Sequence, residues 1–451
     1  MKHSSSGSIK KGVSRVHFED ELPVNNSNEP VRRTAQPSRL PLSNFETFLH
    51  LLKSLLGTGI LAMPKAFFYA GWVVGVICSA LIAVISTYCV HLLLRSQDEV
   101  CRRMKVCGLS YSDTAKRAML EGPVIFVRMA RSFSFITSLF LVIDQIGTCC
   151  VYIIFVASNL KEVFDLYTQP MDIRIYMVCI LPPLLLLNYI RNLKYLAPFS
   201  TLANLIMLVS FGITFYYMFN DLPSISDRKV VGSVKEFPLF IGMVLFSMEA
   251  IAMVLPLRND MRDPKWFGAH CGILNQVMVV LAIAYITTGF FGYMKYGDHT
   301  KGSITLNLPN TDGLAQSVRI MLSCSVLLSH ALQCYVVIDV IWYENLYYVF
   351  HSSRWRLFME YMLRTGVVVL TFVLAVAIPN LELFISLVGA LCVTLLAILF
   401  PVIMETSAFW YSKHGVKFYF MIFKNILLSF FGITALIIGV YVSVIEIFAK
   451  L

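Results

Sequence analysis

Charge is scarce in this chain. Asp, Glu, Lys and Arg make up 14% of its 451 residues, against 57% hydrophobic residues and a mean hydropathy of +0.71. A soluble domain of this size could not cover so much apolar surface, so the composition excludes one and points to a polytopic membrane protein. Acidic residues are the scarcer sign, 27 against 37 basic ones. The resulting net charge of +10 is read as the bias of Lys and Arg towards cytoplasmic loops, not as a nucleic-acid footprint. None of the eleven cysteines falls in a predicted outer loop, so no external disulfide is expected. No paired Cys/His spacing stands out, so no metal site is expected either. No secretory leader is expected either. Residues 1–43 are polar and Ser-rich, with Glu19, Asp20 and Glu21 and basic pairs such as Arg32 and Arg33; they are expected to form a disordered cytosolic tail, in which the sequon at Asn25 stays silent.

What the chain does contain is apolar runs. Eleven spans are expected, at about 44–68, 72–94, 128–158, 173–190, 197–218, 238–258, 269–293, 316–343, 361–379, 382–405 and 420–448. With the N-terminus in the cytosol, 25 Lys and Arg fall on the cytosolic side and 8 on the other. That asymmetry places the N-terminus inside and the C-terminus outside or in a lumen. Spans 1–5 and 6–10 then form two sets of five. Because five is odd, the second set enters the membrane inverted relative to the first. The fold class expected is an all-α membrane protein with an inverted five-plus-five helix repeat: repeat one at about 44–218, repeat two at about 238–405, and an extra helix at about 420–448.

The first span carries its own interruption. In NFETFLHLLKSLLGTGILAMPKAFF (44–68), Gly57, Thr58 and Gly59 sit near the middle with Pro64 downstream. Two glycines so close make an unbroken helix locally costly, and the backbone groups they free need partners inside protein or from a ligand. A kink whose glycines let a neighbouring helix pack closely is the plainer reading. Span 6 is its counterpart by topology. It places Glu249 eleven residues after Pro238, with Pro256 beyond, but has no glycine between Gly242 and Gly272.

Five blocks give these features a family context: LLKSLLGTGILAMPKAFFYAGWVVG (51–75), FSMEAIAMVLPLRNDMRDP (246–264), GYMKYGDHTKGSITLNLP (292–309), ALQCYVVIDVIW (331–342) and VLAVAIPNLELFISLVGALC (373–392). In order and spacing the chain resembles the proton-coupled amino acid transporters of the amino acid/auxin permease family, over about residues 44–448. The resemblance implies an amino acid, polyamine and organocation-type fold. It also implies symport of small neutral amino acids with a proton.

The residues suggest how. A zwitterion needs donors for its carboxylate and acceptors for its ammonium where water supplies neither cheaply. Amides around Gly57, Thr58, Gly59 and Ile60 suit the carboxylate, and free carbonyls of the interrupted spans suit the ammonium. Ser247 and Glu249 lie beside the second break; Glu249 either neutralises the ammonium or has a structural role within span 6. By analogy with such folds Phe246 walls the pocket, although an aromatic in an apolar span is by default packing. Asp144, with Gln145 and Tyr152, lies in the middle of span 3, which the fold brings past the substrate. The resembled family more often has an uncharged residue at Asp144, a departure consistent with a second proton site or an altered substrate charge. Glu46, His50, Lys53 and Gly57 follow at spacings of four, three and four and share one face. Imidazole titrates in the range a proton gradient can switch, and the resembled family implicates a histidine in this HLLK setting, so His50 and Glu249 are the expected proton carriers. His330, lone in span 8, reads as a packing histidine. Ala250, Ile251 and Ala252 stand where relatives carry glycines, which would narrow the pocket towards small substrates.

No cofactor is expected beyond the proton as coupling ion. Partners are small neutral amino acids, the proton and the lipid bilayer. An intramembrane aspartyl enzyme using Asp144 and Asp339 is the weakest rival, because neither residue has a glycine-flanked catalytic setting. A sensor with slow transport, contacting a cytosolic signalling partner through the tail, is a stronger one, and a sodium-coupled transporter is the third. Plasma membrane and lysosomal membrane fit equally.

Overall fold

Ser43 starts the first helix with a reciprocal cap. Its hydroxyl accepts the Glu46 N–H at 3.2 Å and the Glu46 carboxylate accepts the Ser43 N–H at 2.8 Å, so two orphan donors are satisfied. The computed structural model describes residues 42–106, 108–191, 193–249, 251–346 and 355–450. Residues 1–41 of the expected tail, and Ala250, lie outside the described residues. Leu42 is already tied down: its N–H donates to the Asp260 carbonyl and its carbonyl accepts the Arg262 N–H, both at 3.0 Å. That isolated bridge is the only β-pairing among the described residues; apart from it, the regular structure is helical.

The helices are α1 (Asn44–Leu55), α2 (Thr58–Ala70), α3 (Trp72–Met104), α4 (Tyr111–Leu120), α5 (Val124–Phe164), α6 (Ile173–Asn188) and α7 (Leu193–Phe219). They are followed by α8 (Phe237–Ser247), α9 (Ile251–Asn259), α10 (Ile273–Tyr296), α11 (Gly313–Ile338), α12 (Arg356–Ala377), α13 (Leu381–Phe409) and α14 (Val416–Lys450). Among the described residues nine helices are long and apolar enough to cross a membrane, and ten when α1 and α2, bent by 51° at their junction, count as one span. The expected fourth span is α6, with 16 residues and an internal Pro182–Pro183 pair. At 1.5 Å per residue it reaches about 24 Å, short of the ~30 Å hydrocarbon core. Its length therefore does not show an eleventh crossing. The two sets of five are otherwise evident in order, and each opens with an interrupted helix, α1/α2 and α8/α9.

Helix α13 is central and α14 peripheral. Most of α13 is buried, and its residues 389–399 widen into a π-helical stretch against α8. In contrast, α14 turns Phe420, Phe423, Ile426, Phe430, Ile437 and Phe448 outward. Such an apolar outer face is stable only against lipid. The short helix α4, within the expected cytosolic loop, buries Tyr111, Ala115 and Ala118, and the Tyr111 phenol donates to the Leu396 carbonyl of α13 at 2.7 Å.

Several charges inside the fold are paired. Glu360 of α12 accepts both Arg191 (2.7 Å) and Arg364 (3.2 Å), and Glu405 accepts Lys424 (2.6 Å) and Lys413 (3.5 Å). Glu382, at the start of α13, pairs with Lys450 at 3.4 Å.

Candidate functional site

The two interrupted helices meet at their breaks. Between α1 and α2, Leu56 and Gly57 leave the helix, Gly57 in an extended conformation (φ −121°, ψ −154°). The amides there are only partly free. The Gly57 N–H donates to the Leu55 carbonyl at 3.0 Å, so of the four amides expected to receive a carboxylate this one is already used. Thr58, Gly59 and Ile60 form the first turn of α2, which no side chain caps. An uncapped helix N-terminus presents orphan N–H groups and a positive dipole end. On the other side of the break, the Tyr285 phenol of α10 donates to the Leu55 carbonyl at 2.5 Å and holds the end of α1.

Span 6 breaks without a glycine. α8 ends at Ser247, Met248 turns, and Glu249 lies between the two helical halves. The carbonyls of Val244 and Phe246 are occupied by the amides of Met248 and Glu249. The free acceptors expected at this break are therefore fewer than the sequence suggested. Ser247 donates to the Met243 carbonyl at 2.8 Å, with the Gly59 carbonyl at 3.2 Å as a second acceptor. A Cβ on Gly59 would stand 2.8 Å from the Ser247 Cα. Gly59 thus serves the close crossing of α2 and α8, the plainer of the two roles its sequence allowed. Phe246 is buried and packs on α13, its Cβ 3.0 Å from where a Cβ on Gly389 would lie.

Span 3 supplies the remaining polar groups. Tyr152 brings its hydroxyl beside the first break, 3.8 Å from a Cβ placed on Gly57, and the Gln333 amide of α11 lies 3.4 Å from that hydroxyl. Just over two turns earlier on the same helix, Asp144 is wholly buried. Its Oδ2 accepts the Gln145 amide at 3.1 Å, and its carboxyl is within hydrogen-bonding reach of the Glu249 carboxyl. Asp144 Oδ1, Gln145 Oε1 and Glu249 Oε1 are buried with no hydrogen-bond partner, and no ion pair among the described residues involves either acid. The Cys392 thiol of α13 is near enough to feel both acids, and the Tyr152 phenol near enough to feel Glu249. Two acidic groups can hydrogen-bond each other only if one carries a proton, because an ionised carboxylate is an acceptor alone.

His50 is placed differently. It lies exposed on α1, one turn from Glu46, while the buried side of that helix is Thr47, Leu51 and Leu55. The face running from Glu46 to Gly57 leads to the break in sequence, but its histidine is on the surface. Lys53 is half-buried.

His330 is not alone. Its ring, fully buried on α11, lies 3.7 and 4.0 Å from Cys334 Sγ, which is 3.5 Å from Cys149 Sγ of α5. Linear spacing hid this cluster because Cys149 is on another helix, although His330 and Cys334, four apart, already share a face. Asp339, the second acid of the enzyme alternative, begins a π-helical stretch beyond α11 and is only half-buried.

Comparison with known proteins places the chain in a family. The family model described as transmembrane amino acid transporter protein matches residues 41–445. The chain is 37% identical over 413 residues to the proton-coupled amino acid transporter-like protein pathetic of Drosophila melanogaster, covering 90% of this chain and 86% of that one. It is 26% identical over 414 residues to the probable amino acid transporter skat-1 of Caenorhabditis elegans, covering 88% of each. Among solved structures it is similar to Mhp1, a nucleobase-cation-symport-1 family transporter in a closed conformation with bromovinylhydantoin bound, with a TM-score of 0.49, 13% identity and 90% and 91% of the two chains covered. With nine or ten apolar spans among the described residues, a broken first helix and a family match over nearly its whole length, the chain is a multi-pass membrane protein that belongs to the transmembrane amino acid transporter family.

Proposed function

We propose that this protein is a secondary active transporter that carries small neutral amino acids together with a proton by alternating access. The observation that carries the coupling is the Asp144–Glu249 carboxyl pair where span 3 passes the break in span 6, Asp144 wholly buried and Glu249 half-buried with its Oε1 shielded from solvent. A second negative charge there has no cation to balance it among the described residues. The pair therefore holds one proton while it is enclosed and can release it when the site opens to water. The substrate carboxylate meets the uncapped amides of Thr58, Gly59 and Ile60, with Gly57 as the turn that exposes them and Tyr152 beside it. The ammonium lies towards Ser247 and Glu249, and Phe246 forms the wall. Gln145 orients Asp144. The tight crossing at Gly59 and Ser247 supports a small substrate side chain. His50, exposed on α1, passes the proton between the cytosolic side and the pair.

This reading keeps the N-terminus in the cytosol, and the membrane is the plasma membrane or that of the lysosome. The test is radiolabelled uptake into proteoliposomes across a panel of amino acids, at two external pH values and with or without sodium. Rapid accumulation of glycine, alanine or proline that follows the pH gradient and ignores sodium is expected. Accumulation driven by sodium would replace the proton, and tight binding without concentrative uptake would make the protein a sensor.

A further inference from the structure

Cys149, His330 and Cys334 converge on one point between α5 and α11. One ligand atom from each lies within 4.8 Å of the others, and all three residues are buried. The sulfurs are 3.5 Å apart and His330 Nδ1 is 3.7 Å from Cys334 Sγ. Thiolates at ~2.3 Å and an imidazole at ~2.0 Å from one tetrahedral ion are separated by roughly 3.5–3.8 Å. Two of the three donor separations therefore already stand near coordination spacing, and the third, Cys149 to His330, lies within 4.8 Å. The imidazole is also poorly served as it is. Its polar contacts are the Cys334 sulfur, 3.7 Å from Nδ1 and 4.0 Å from Nε2, and the Asn188 amide at 3.4 Å, an amide whose shorter bond, 2.8 Å, goes to the Leu184 carbonyl. A buried ring whose hydrogen bonds are all this long is under-satisfied.

We infer that Cys149, Cys334 and His330 form a binding site for a soft d10 metal ion, and that the ion is Zn2+. Thiolate and imidazole donors select zinc and monovalent copper over hard cations. Charge decides between those two. Loss of both thiol protons gives two thiolates, which cancel the charge of Zn2+ and leave a neutral centre in an apolar interior, whereas Cu+ would leave one uncompensated negative charge. His330 Nδ1, the nearer ring nitrogen, turns its lone pair from the Asn188 amide to the metal. Three protein ligands leave the fourth position for water or substrate. The site would tie α5 to α11 one turn before Tyr152, and so would fix the phenol that stands at the first break.

Purified full-length protein, stripped with a chelator and dialysed, tests this by titration with Zn2+ against a chromophoric competitor and by metal analysis. One Zn2+ per chain is expected for the wild type and for Cys89→Ser, a buried cysteine elsewhere. Cys149→Ser and Cys334→Ser should fall below a tenth of that, and His330→Ala should bind at least tenfold more weakly. Co2+ added to the wild type should give a thiolate-to-cobalt charge-transfer band, a readout that does not depend on any variant folding. No Zn2+ on the wild type, no such band, or unchanged stoichiometry in Cys334→Ser overturns the site. Cu+ held in place of Zn2+ overturns the assignment of the ion.

Discussion

Gly59 and Ser247 are in backbone contact: the position a Cβ would take on Gly59 is 2.8 Å from both the Cα and the hydroxyl of Ser247. The two interrupted helices therefore cross where only hydrogen fits, and the Ser247 hydroxyl lies 3.2 Å from the Gly59 carbonyl. The contact joins the first helices of the two repeats at the level of both breaks.

Replacing Gly59 by Val should abolish uptake by forcing α2 and α8 apart. Overpacking of this kind costs about 1–3 kcal/mol, and the obstacle is backbone, which cannot rotate away. Gly59→Ala should already reduce uptake severely, while Thr58→Val, which keeps the amide, should be mild. Transport by a Gly59→Val variant near wild-type rate at equal surface abundance would remove this crossing from the site.

Asp144→Asn keeps the shape of the side chain and removes one acid from the carboxyl pair. Gradient-driven accumulation should fall at least tenfold, while exchange of labelled for unlabelled amino acid survives. Counterflow and net uptake, measured on the same proteoliposomes, separate the two. Loss of both in parallel would mean that Asp144 holds the structure and not the proton.

His50→Ala leaves the pair in place. Uptake should slow but keep its dependence on the pH gradient, because the exposed imidazole delivers the proton and does not store it. Complete loss of pH dependence in initial-rate measurements would move the coupling site to His50.

Removing the negative centre of the Arg191–Glu360–Arg364 cluster should be the most damaging change to stability. Glu360 and Arg364 are buried, and Glu360→Gln would leave a buried guanidinium without its counter-charge, at about 3–5 kcal/mol. Thermal unfolding in detergent, followed by intrinsic fluorescence, should show a clear drop relative to Arg191→Gln, whose side chain is half exposed.

Asp165, just beyond α5, accepts Lys161 at 2.6 Å and the Tyr176 phenol at 2.7 Å. These bonds, with that to Lys161 the largest cause, hold its carboxyl below the usual carboxylate range. A depressed value in the folded state means the contribution is present above the ordinary carboxylate range and is lost as pH falls through the lowered one. The α5–α6 connection should therefore keep its hydrogen-exchange protection unchanged from pH 7 to pH 5. An Asp165→Asn variant should be less protected at both values. Protection in the wild type that falls between pH 7 and 5 would contradict this.

The sequence by itself determined the class, the order of the spans and the first break. Twenty apolar residues in a row have no stable home but lipid, and the two glycines with Pro64 make the interruption a property of local backbone preference. Glu249 was legible as well, since an acid in an apolar span stands out against any background. The second break was less so, because span 6 turns at Met248 and Glu249 without a glycine to mark it. Only the tertiary structure decided which polar groups meet. Asp144 faces Glu249 and Cys149 faces Cys334 across helices about 100 and 185 residues apart in the chain, and no local spacing encodes such a distance. Likewise His50 and Gly57 share a face by periodicity, yet whether that face is enclosed depends on which helices lie against it. Local preferences fix where a helix starts and stops; which of its faces is dry is set by its neighbours.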